Sequence, residues 1–296
     1  MSDPLPAITI GGYLGSGKTT LLNHLLRHAD GRRLAILVNE FGELPIDADL
    51  IEAEEDGLIS IAGGCVCCSF GNDLLAALRD LSQMQPRPDY VIIESSGVAI
   101  PGAITASVAL LDGVRPDGTI VVVDAETVRK AARDDYIGDT ITRQLADAEI
   151  VVINKLDLVD EATASDLLQW LATMAPGAAQ LPARFGQVAP ETIFGAVTTP
   201  GTGHKSPHSD ALFDSFVLTP STPVDAQALA KTLAAGGYGI IRAKGHVTGK
   251  DKRSWLIQVV GKRWQADPAT GTCATGIVCI GLHDQLATDD LRKSVT

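Results

Sequence analysis

Short apolar runs alternate with longer segments of helical periodicity over about the first two hundred residues of the chain. Leucines at helical spacing mark residues 19–28 and 73–81. The apolar runs are rich in β-branched residues and occupy residues 7–10, 34–38, 90–93, 119–123 and 149–153. Near-continuous apolar strands separated by helices predict an α/β fold, in which helices cover both faces of a parallel sheet. Because ligands bind beyond the carboxyl ends of the strands in such folds, the residues that follow each run are the candidates for chemistry.

A polar segment rich in Pro and Gly, residues 198–210, interrupts this pattern and predicts a linker. After it, residues 224–235 predict a helix and the chain ends in a short helical segment. Strands are predicted at residues 212–218, 238–243, 254–260 and 276–280. This order indicates a small α+β domain, with a split βαβ unit as one arrangement. We therefore expect a first domain over residues 1–197 and a C-terminal domain over residues 211–296.

Composition and charge narrow the class of protein. The chain has 296 residues, of which 45% are hydrophobic, enough for a packed core. No apolar run approaches the roughly 18 residues of a membrane helix, and the N-terminus lacks a signal-peptide pattern. A net charge of −12 disfavours binding to nucleic acids and anionic lipids. Three of the five cysteines lie within four positions, which is typical of coordinating or reactive thiols in a reducing compartment. We expect a cytoplasmic protein without nucleic-acid or membrane partners.

A phosphate-binding loop follows the first strand directly. Residues 12–19, GYLGSGKT, match the pattern G-x-x-x-x-G-K-[ST] at every fixed position, from Gly12 to Thr19. In such a loop the glycines and the helix N-terminus direct backbone N–H groups towards phosphate oxygens. Lys18 is expected to reach the β- and γ-phosphates, and the Thr19 hydroxyl to complete a Mg²⁺ shell. The alternative is a glycine-rich turn with an incidental lysine.

The fifth predicted strand ends in Asn154-Lys155-Leu156-Asp157, an N-K-x-D motif. A carboxylate at Asp157 can accept hydrogen bonds from N1–H and the 2-amino group of guanine, whereas adenine would present an acceptor to it. Asn154 and Lys155 are expected to support this loop and cover the base. The alternative is a helix-capping aspartate followed by surface charges. The motif favours GTP.

Two acidic residues close middle strands, and either could orient Mg²⁺ through water. Glu94 is favoured because the small residues Ser95-Ser96-Gly97 follow it and permit close approach to a γ-phosphate. Asp124 is expected to cap a helix that starts at Ala125. Residues 39–43, NEFGE, follow the second strand, and the sequence leaves open whether they form a switch or an ordinary acidic loop.

Cys65, Cys67 and Cys68 form a C-x-C-C cluster after two glycines. Three thiols at this spacing can converge on one soft metal ion, and three thiolates leave one weakly held position that Glu43 or water could fill. A redox-sensing vicinal dithiol and buried apolar cysteines remain alternatives. Two weaker candidates are His204 and His208 in the linker, which either bind metal loosely or are solvated.

Together, the segments GGYLGSGKTT, VNEFGE, GGCVCC, ESSG and NKLD resemble the CobW-type metal-chaperone GTPases, relatives of the GTPases that serve nickel insertion into hydrogenase and urease. Residues 241–245, IRAKG, are similar to a signature of that family's C-terminal domain. The resemblance implies a P-loop NTPase domain and a GTPase that binds Zn²⁺ or Co²⁺ at the cysteines and delivers it to a client metalloprotein. It implies phosphate-loop and switch roles for Gly15, Ser16, Gly17, Lys18, Thr19, Thr20, Glu43 and Glu94.

The motif order suggests a mechanism that couples nucleotide to metal. GTP with Mg²⁺ would draw residues 39–43 and 94–97 inward, and the cysteines lie between these segments in sequence, so closure would reshape the metal site. We expect Lys18, Thr19 and Glu94 to act in hydrolysis. No Gln or Arg stands out as the group that activates water, so we expect slow turnover that a client accelerates. The alternative function is a metal or redox sensor that uses GTP as a regulatory ligand. The sequence does not determine the oligomeric state, and a homodimer is one option.

Overall fold

The computed structural model describes residues 3–29, 31–38, 59–61, 72–195, 213–235, 237–269, 275–283 and 285–293. The chain divides into two compact units, one over Pro4–Val188 and the other over Ala189–Thr296 with the extreme N-terminus. The predicted linker at residues 198–210 lies outside the described residues, and the predicted domain limits stay a prediction. None of the helices in the described ranges combines the length and apolar character needed to cross a membrane.

The first unit contains a parallel sheet with the strand order β3-β2-β4-β1-β5-β6-β7. Its strands in the described ranges are β1 (Leu5–Gly11), β2 (Leu34–Val38), β3 (Ile59–Ile61), β4 (Tyr90–Glu94), β5 (Val114–Asp124), β6 (Ile150–Asn154) and β7 (Ala179–Pro182). Its helices there are α1 (Lys18–Arg27), α2 (Asn72–Gln83), α3 (Pro101–Val108), α4 (Val128–Ala131), α5 (Gly138–Asp147) and α6 (Glu161–Met174). The predicted α/β fold with a parallel sheet is confirmed.

The apolar composition of the strands explains their place in the sheet. Every residue of β4 and β6 is buried, as expected for strands covered by helices on both faces. Leu78 and Leu81 of α2 pack with residues of β1, β2 and β4, whereas Leu167 and Leu171 of α6 pack with residues of β5 and β6. These contacts fix the positions at which β1, β4, β5 and β6 end.

A buried hydroxyl network attaches α3 to the sheet. The Thr105 hydroxyl donates to Thr9 Oγ1 on β1 at 3.1 Å, and a second hydrogen bond of 2.9 Å joins it to Thr119 Oγ1 on β5. Thr9 and Thr119 are buried, so these bonds satisfy polar groups that would otherwise carry a desolvation cost. The network fixes where α3 lies after the loop that follows β4.

The second unit contains an antiparallel sheet with the strand order β11-β10-β9-β12-β8. Its described elements are α7 (Pro190–Phe194), β8 (Phe213–Leu218), α8 (Ala226–Ala234), β9 (Ile240–Thr248), β10 (Ser254–Val260), β11 (Arg263–Pro268), β12 (Gly276–Leu282) and α9 (Thr288–Lys293). Because β12 is antiparallel to both β8 and β9, those two strands run in the same direction on either side of it. With α8 as the connection, this is the predicted split βαβ arrangement.

Helix α8 covers one face of the second sheet. Leu229 and Leu233 of α8 pack with Ile257, Ile277 and Cys279 in one apolar cluster. Cys279 has no exposed surface, and burial raises the pKa of its thiol to about 12. This cysteine is therefore a core side chain.

Candidate nucleotide site

The phosphate loop between β1 and α1 has a backbone that requires glycine at two positions. Gly12 and Gly17 have φ values of 134° and 99°, in the region that side chains disfavour. A Cβ atom at Gly12 would collide with the carbonyl oxygen of Val122, and one at Gly17 would collide with the side-chain nitrogen of Asn154. The loop can therefore close tightly against β5 and β6 only with glycine at these positions.

Lys18 and Ser16 line the inside of this loop. Lys18 is buried, and its Nζ donates to the carbonyl oxygens of Gly12 at 3.0 Å and Tyr13 at 3.4 Å. The Ser16 hydroxyl is buried and finds no hydrogen-bond partner among the described residues. Gly17 is the N-cap of α1 and offers no side chain to the first helical N–H groups. An ammonium, an unsatisfied hydroxyl and a helix N-terminus together suit phosphate oxygens.

Thr19 and Glu94 meet where β1 and β4 end. Ile10 of β1 pairs with Glu94 of β4, and the Thr19 hydroxyl donates to Glu94 Oε1 at 3.5 Å. Glu94 is 2% exposed, so its carboxylate is held within the site. A hydroxyl and a carboxylate are hard oxygen ligands of the kind that Mg²⁺ binds, directly or through water. The donor set therefore fits a magnesium ion.

Asn154 connects the N-K-x-D loop to the phosphate loop. Its side-chain nitrogen donates to the Ser16 carbonyl oxygen at 3.0 Å, and its Oδ1 accepts from the Gly186 backbone N–H at 2.9 Å. Asn154 is 2% exposed. The side chain thereby joins three loops that follow β1, β6 and β7. No local sequence pattern indicates Gly186, because its contact with Asn154 depends on tertiary structure.

The Lys155 side chain is paired with the aspartate that ends β5. Lys155 Nζ donates to Asp124 Oδ2 at 2.7 Å, and Asp124 Oδ1 accepts from the Glu126 backbone N–H at 2.9 Å. The expected helix start at Ala125 was wrong, because α4 begins at Val128 with Thr127 as its N-cap. Asp124 therefore holds Lys155 and does not cap a helix. Asp157 is exposed in a 3₁₀ turn over Leu156–Leu158, on the same loop.

The structure thus brings together Lys18, Thr19 and Glu94, and it joins them through Asn154 to the loop that carries Lys155 and Asp157. Cys65, Cys67, Cys68 and Glu43 lie outside the described residues, as do residues 39–42, His204 and His208. In the described part of the chain, no group of three or more His, Cys, Asp or Glu side chains is placed to hold a metal ion. The roles assigned to all these residues stay predictions.

Comparisons with known proteins agree with this architecture. Residues 6–182 match the family described as CobW/HypB/UreG, nucleotide-binding domain, and residues 213–295 match the cobalamin synthesis protein cobW C-terminal domain. A zinc chaperone CobW from Sinorhizobium sp is 31% identical to this chain, over 95% of this chain and 93% of that protein. The zinc-regulated GTPase metalloprotein activator 1 of Schizosaccharomyces pombe is 30% identical over 56% of this chain and 43% of its own length.

A solved structure resembles this chain over almost its whole length. It is a zinc-bound triple mutant of the YjiA GTPase, which is 23% identical and matches with a TM-score of 0.50 over 99% of this chain and 98% of that one. At this level of identity the likeness supports the fold. The two family matches cover both sheets in the order in which they occur along the chain. The chain belongs to the CobW/HypB/UreG family and carries both its nucleotide-binding domain and the CobW C-terminal domain.

Proposed function

We propose that the protein is a GTP-hydrolysing metallochaperone that carries Zn²⁺ or Co²⁺ and transfers it to a client metalloprotein. The proposal rests on the two hydrogen bonds of the Asn154 side chain, which join the N-K-x-D loop (the base loop) to the phosphate loop and to Gly186. A triphosphate in the phosphate loop and a base at Asp157 are thereby held as one ligand. The names of the relatives, a zinc chaperone and a zinc-regulated GTPase metalloprotein activator, supply the cargo and its destination.

The nucleotide chemistry follows from the groups at the loop. Lys18 places its charge beside the loop carbonyls, where it can neutralise β- and γ-phosphate oxygens. Water attacks the γ-phosphorus, the bond to the bridging oxygen breaks, and GDP and inorganic phosphate leave. Mg²⁺ held near Thr19 and Glu94 would neutralise charge on the phosphate oxygens. No Gln or Arg stands out in the sequence as the group that activates water, so slow intrinsic turnover is expected.

The metal is cargo, and its proposed binding residues are Cys65, Cys67 and Cys68, with Glu43 or water in the fourth position. Thiolates admit both Zn²⁺ and Co²⁺, so metal availability decides which is carried. The cytoplasm, a reducing compartment, would keep these thiols free to bind metal. The client is a metalloprotein that contacts the GTP-bound form, and a homodimer remains an expectation from sequence.

Linkage between metal and nucleotide tests the proposal. We expect the affinity for a non-hydrolysable GTP analogue to rise about 5- to 150-fold when Zn²⁺ is bound, the range that a coupling of about 1–3 kcal/mol gives. Zn²⁺ affinity must then rise by the same factor when the analogue is bound. A Zn²⁺-binding dye serves as the acceptor, and its response should follow GTP hydrolysis in single turnover.

The variant Lys18→Ala is the control, because it should lose nucleotide binding while it keeps the thiols. Equal GTP affinity in metal-free and Zn²⁺-loaded protein would refute the coupling. GTP turnover that proceeds with no change in metal transfer would favour a sensor that uses GTP as a regulatory ligand.

A further inference from the structure

Helix α5 is hydrogen-bonded to the loop that follows Glu94. The Gln144 side-chain nitrogen donates to the carbonyl oxygen of Gly97 at 3.0 Å and to that of Ala99 at 2.8 Å. One turn later, Asp147 Oδ2 accepts from the Gly102 backbone N–H at 3.0 Å. Gln144 is 1% exposed, so water does not compete for these two bonds. Helix α5 therefore fixes the shape of this loop through side chains rather than backbone pairing.

The two ends of the loop are fixed by other contacts. At its start, the Ser95 backbone N–H donates to the Ile10 carbonyl oxygen at 2.8 Å. At its end, α3 is attached to the sheet by the Thr105 hydroxyl. The middle of the loop, around Gly97, lies between these points. Within it the Ala99 backbone N–H donates to the Ser96 carbonyl oxygen at 3.0 Å, and Gln144 supplies the two bonds that attach it to helix α5.

Gly97 lies directly against the phosphate loop. A Cβ atom there would lie 2.6 Å from Leu14 Cδ2 and 2.9 Å from the Leu14 backbone nitrogen, so only glycine allows this approach. Gln144 also lines a cavity of about 30 Å³ beneath the phosphate loop, together with Tyr13, Leu14 and Ser16. The same buried amide therefore contacts the loop after Glu94 and lies beneath the phosphate loop.

We propose that Gln144 is a positioning residue that sets the γ-phosphate side of the site, an inference that rests on the proposed GTPase function. By holding the Gly97 and Ala99 carbonyls, it keeps residues 95–97 beside Leu14, where a third phosphate meets them and a diphosphate does not. Without these two bonds, GTP binding has to order the loop. The free energy of this ordering lowers the affinity for GTP but not the affinity for GDP. Gln144 therefore controls discrimination between the two nucleotides.

The test compares Gln144→Met, which keeps length and loses both donors, with Arg143→Met on the same helix. The Arg143 side chain is 65% exposed and pairs with Asp139, so its loss leaves the loop intact. The measurement is the affinity of each chain for GDP and for a non-hydrolysable GTP analogue with Mg²⁺. In Gln144→Met we expect the analogue to bind about tenfold more weakly and GDP to bind within about twofold of the parent. Single-turnover hydrolysis should also slow, because the loop begins directly after Glu94.

Equal weakening of both nucleotides, or no change in either, would overturn the positioning role. Should Gln144→Met fail to fold, Gln144→Asn decides, because its shorter amide can still make one of the two bonds. An intermediate loss in the ratio of analogue to GDP affinity supports the role, and a ratio equal to that of the parent refutes it. If the parent chain binds neither nucleotide, the proposed function and this inference are both refuted. If the parent binds the GTP analogue and GDP with different affinities and Gln144→Met keeps the same ratio, the inference alone is refuted.

Discussion

The variant Asn154→Ala removes the side chain that joins the base loop to the phosphate loop. Two buried hydrogen bonds are lost, one to the Ser16 carbonyl oxygen at 3.0 Å and one from the Gly186 N–H at 2.9 Å. The partners are backbone groups in buried positions, and alanine offers neither a donor nor an acceptor in their place. The change leaves one carbonyl and one N–H unsatisfied.

The size of the effect follows from these two groups. Each buried polar group left without a partner costs about 1–3 kcal/mol, so the loss of both should lower the free energy of unfolding by about 2–6 kcal/mol. The Ser16 carbonyl belongs to the phosphate loop, so GTP and GDP should both bind more weakly, by a similar factor. This pattern differs from that expected of Gln144→Met, which affects GTP alone.

Urea denaturation without nucleotide and titration with both nucleotides measure the two effects. Gln180→Ala is the matched control, because Gln180 also donates a side-chain amide to a backbone carbonyl, that of Leu168 at 3.1 Å, but does so at an exposed position. It should lose less than about 0.5 kcal/mol. If Asn154→Ala is as stable as this control and binds nucleotide as tightly as the parent, the assignment of Asn154 as the connecting side chain is wrong.

Three further predictions concern the base, the cargo and the second unit. Asp157→Asn should change the base preference from guanine to xanthine, because Asn can donate a hydrogen bond to the oxygen at position 2 of xanthine. Titration with GTP and XTP measures this preference, and a variant that still prefers GTP contradicts the prediction. Cys67→Ala should lose tight Zn²⁺ binding and keep nucleotide affinity, so an unchanged Zn²⁺ stoichiometry would place the metal elsewhere. Because burial raises the Cys279 pKa from 9.0 to about 12, only the unfolded chain ionises this thiol just above pH 9. The contribution of the protonated thiol to stability is therefore present below pH 9 and is lost as the pH rises towards 12. At pH 8, iodoacetamide should label Cys279 only in denaturant, and peptide mapping would show this.

The sequence predicted the central strands well and missed the short or polar ones. Strands β1, β2, β4, β5 and β6 consist of apolar runs because they are covered on both faces. Strand β7 has the sequence AQLP and lies at a sheet edge, and β11 has the sequence RWQADP and lies at the edge of the second sheet. Edge strands have one side without a neighbour and carry less apolar sequence, so periodicity gives little sign of them.

The candidate site shows the same limit. The phosphate loop and the N-K-x-D loop were identified because their chemistry depends on residues that are adjacent in sequence. Gln144 and Gly97 are 47 positions apart, and Lys155 and Asp124 are 31 apart, so no local pattern indicates either pair. Such pairs exist only because the parallel sheet brings the ends of separate strands and helices together.

The place of β12 in the second sheet has a consequence for synthesis on the ribosome. This strand is the last of the five along the chain, yet it lies between β8 and β9 and hydrogen-bonds to both. A nascent polypeptide that has released only its first 275 residues from the exit tunnel can pair β9 with β10 and β10 with β11, but β8 has no partner strand within that sheet. The second sheet therefore completes its pairing only after β12 has left the tunnel, and a stop codon before residue 276 would leave β8 without a partner strand in that sheet.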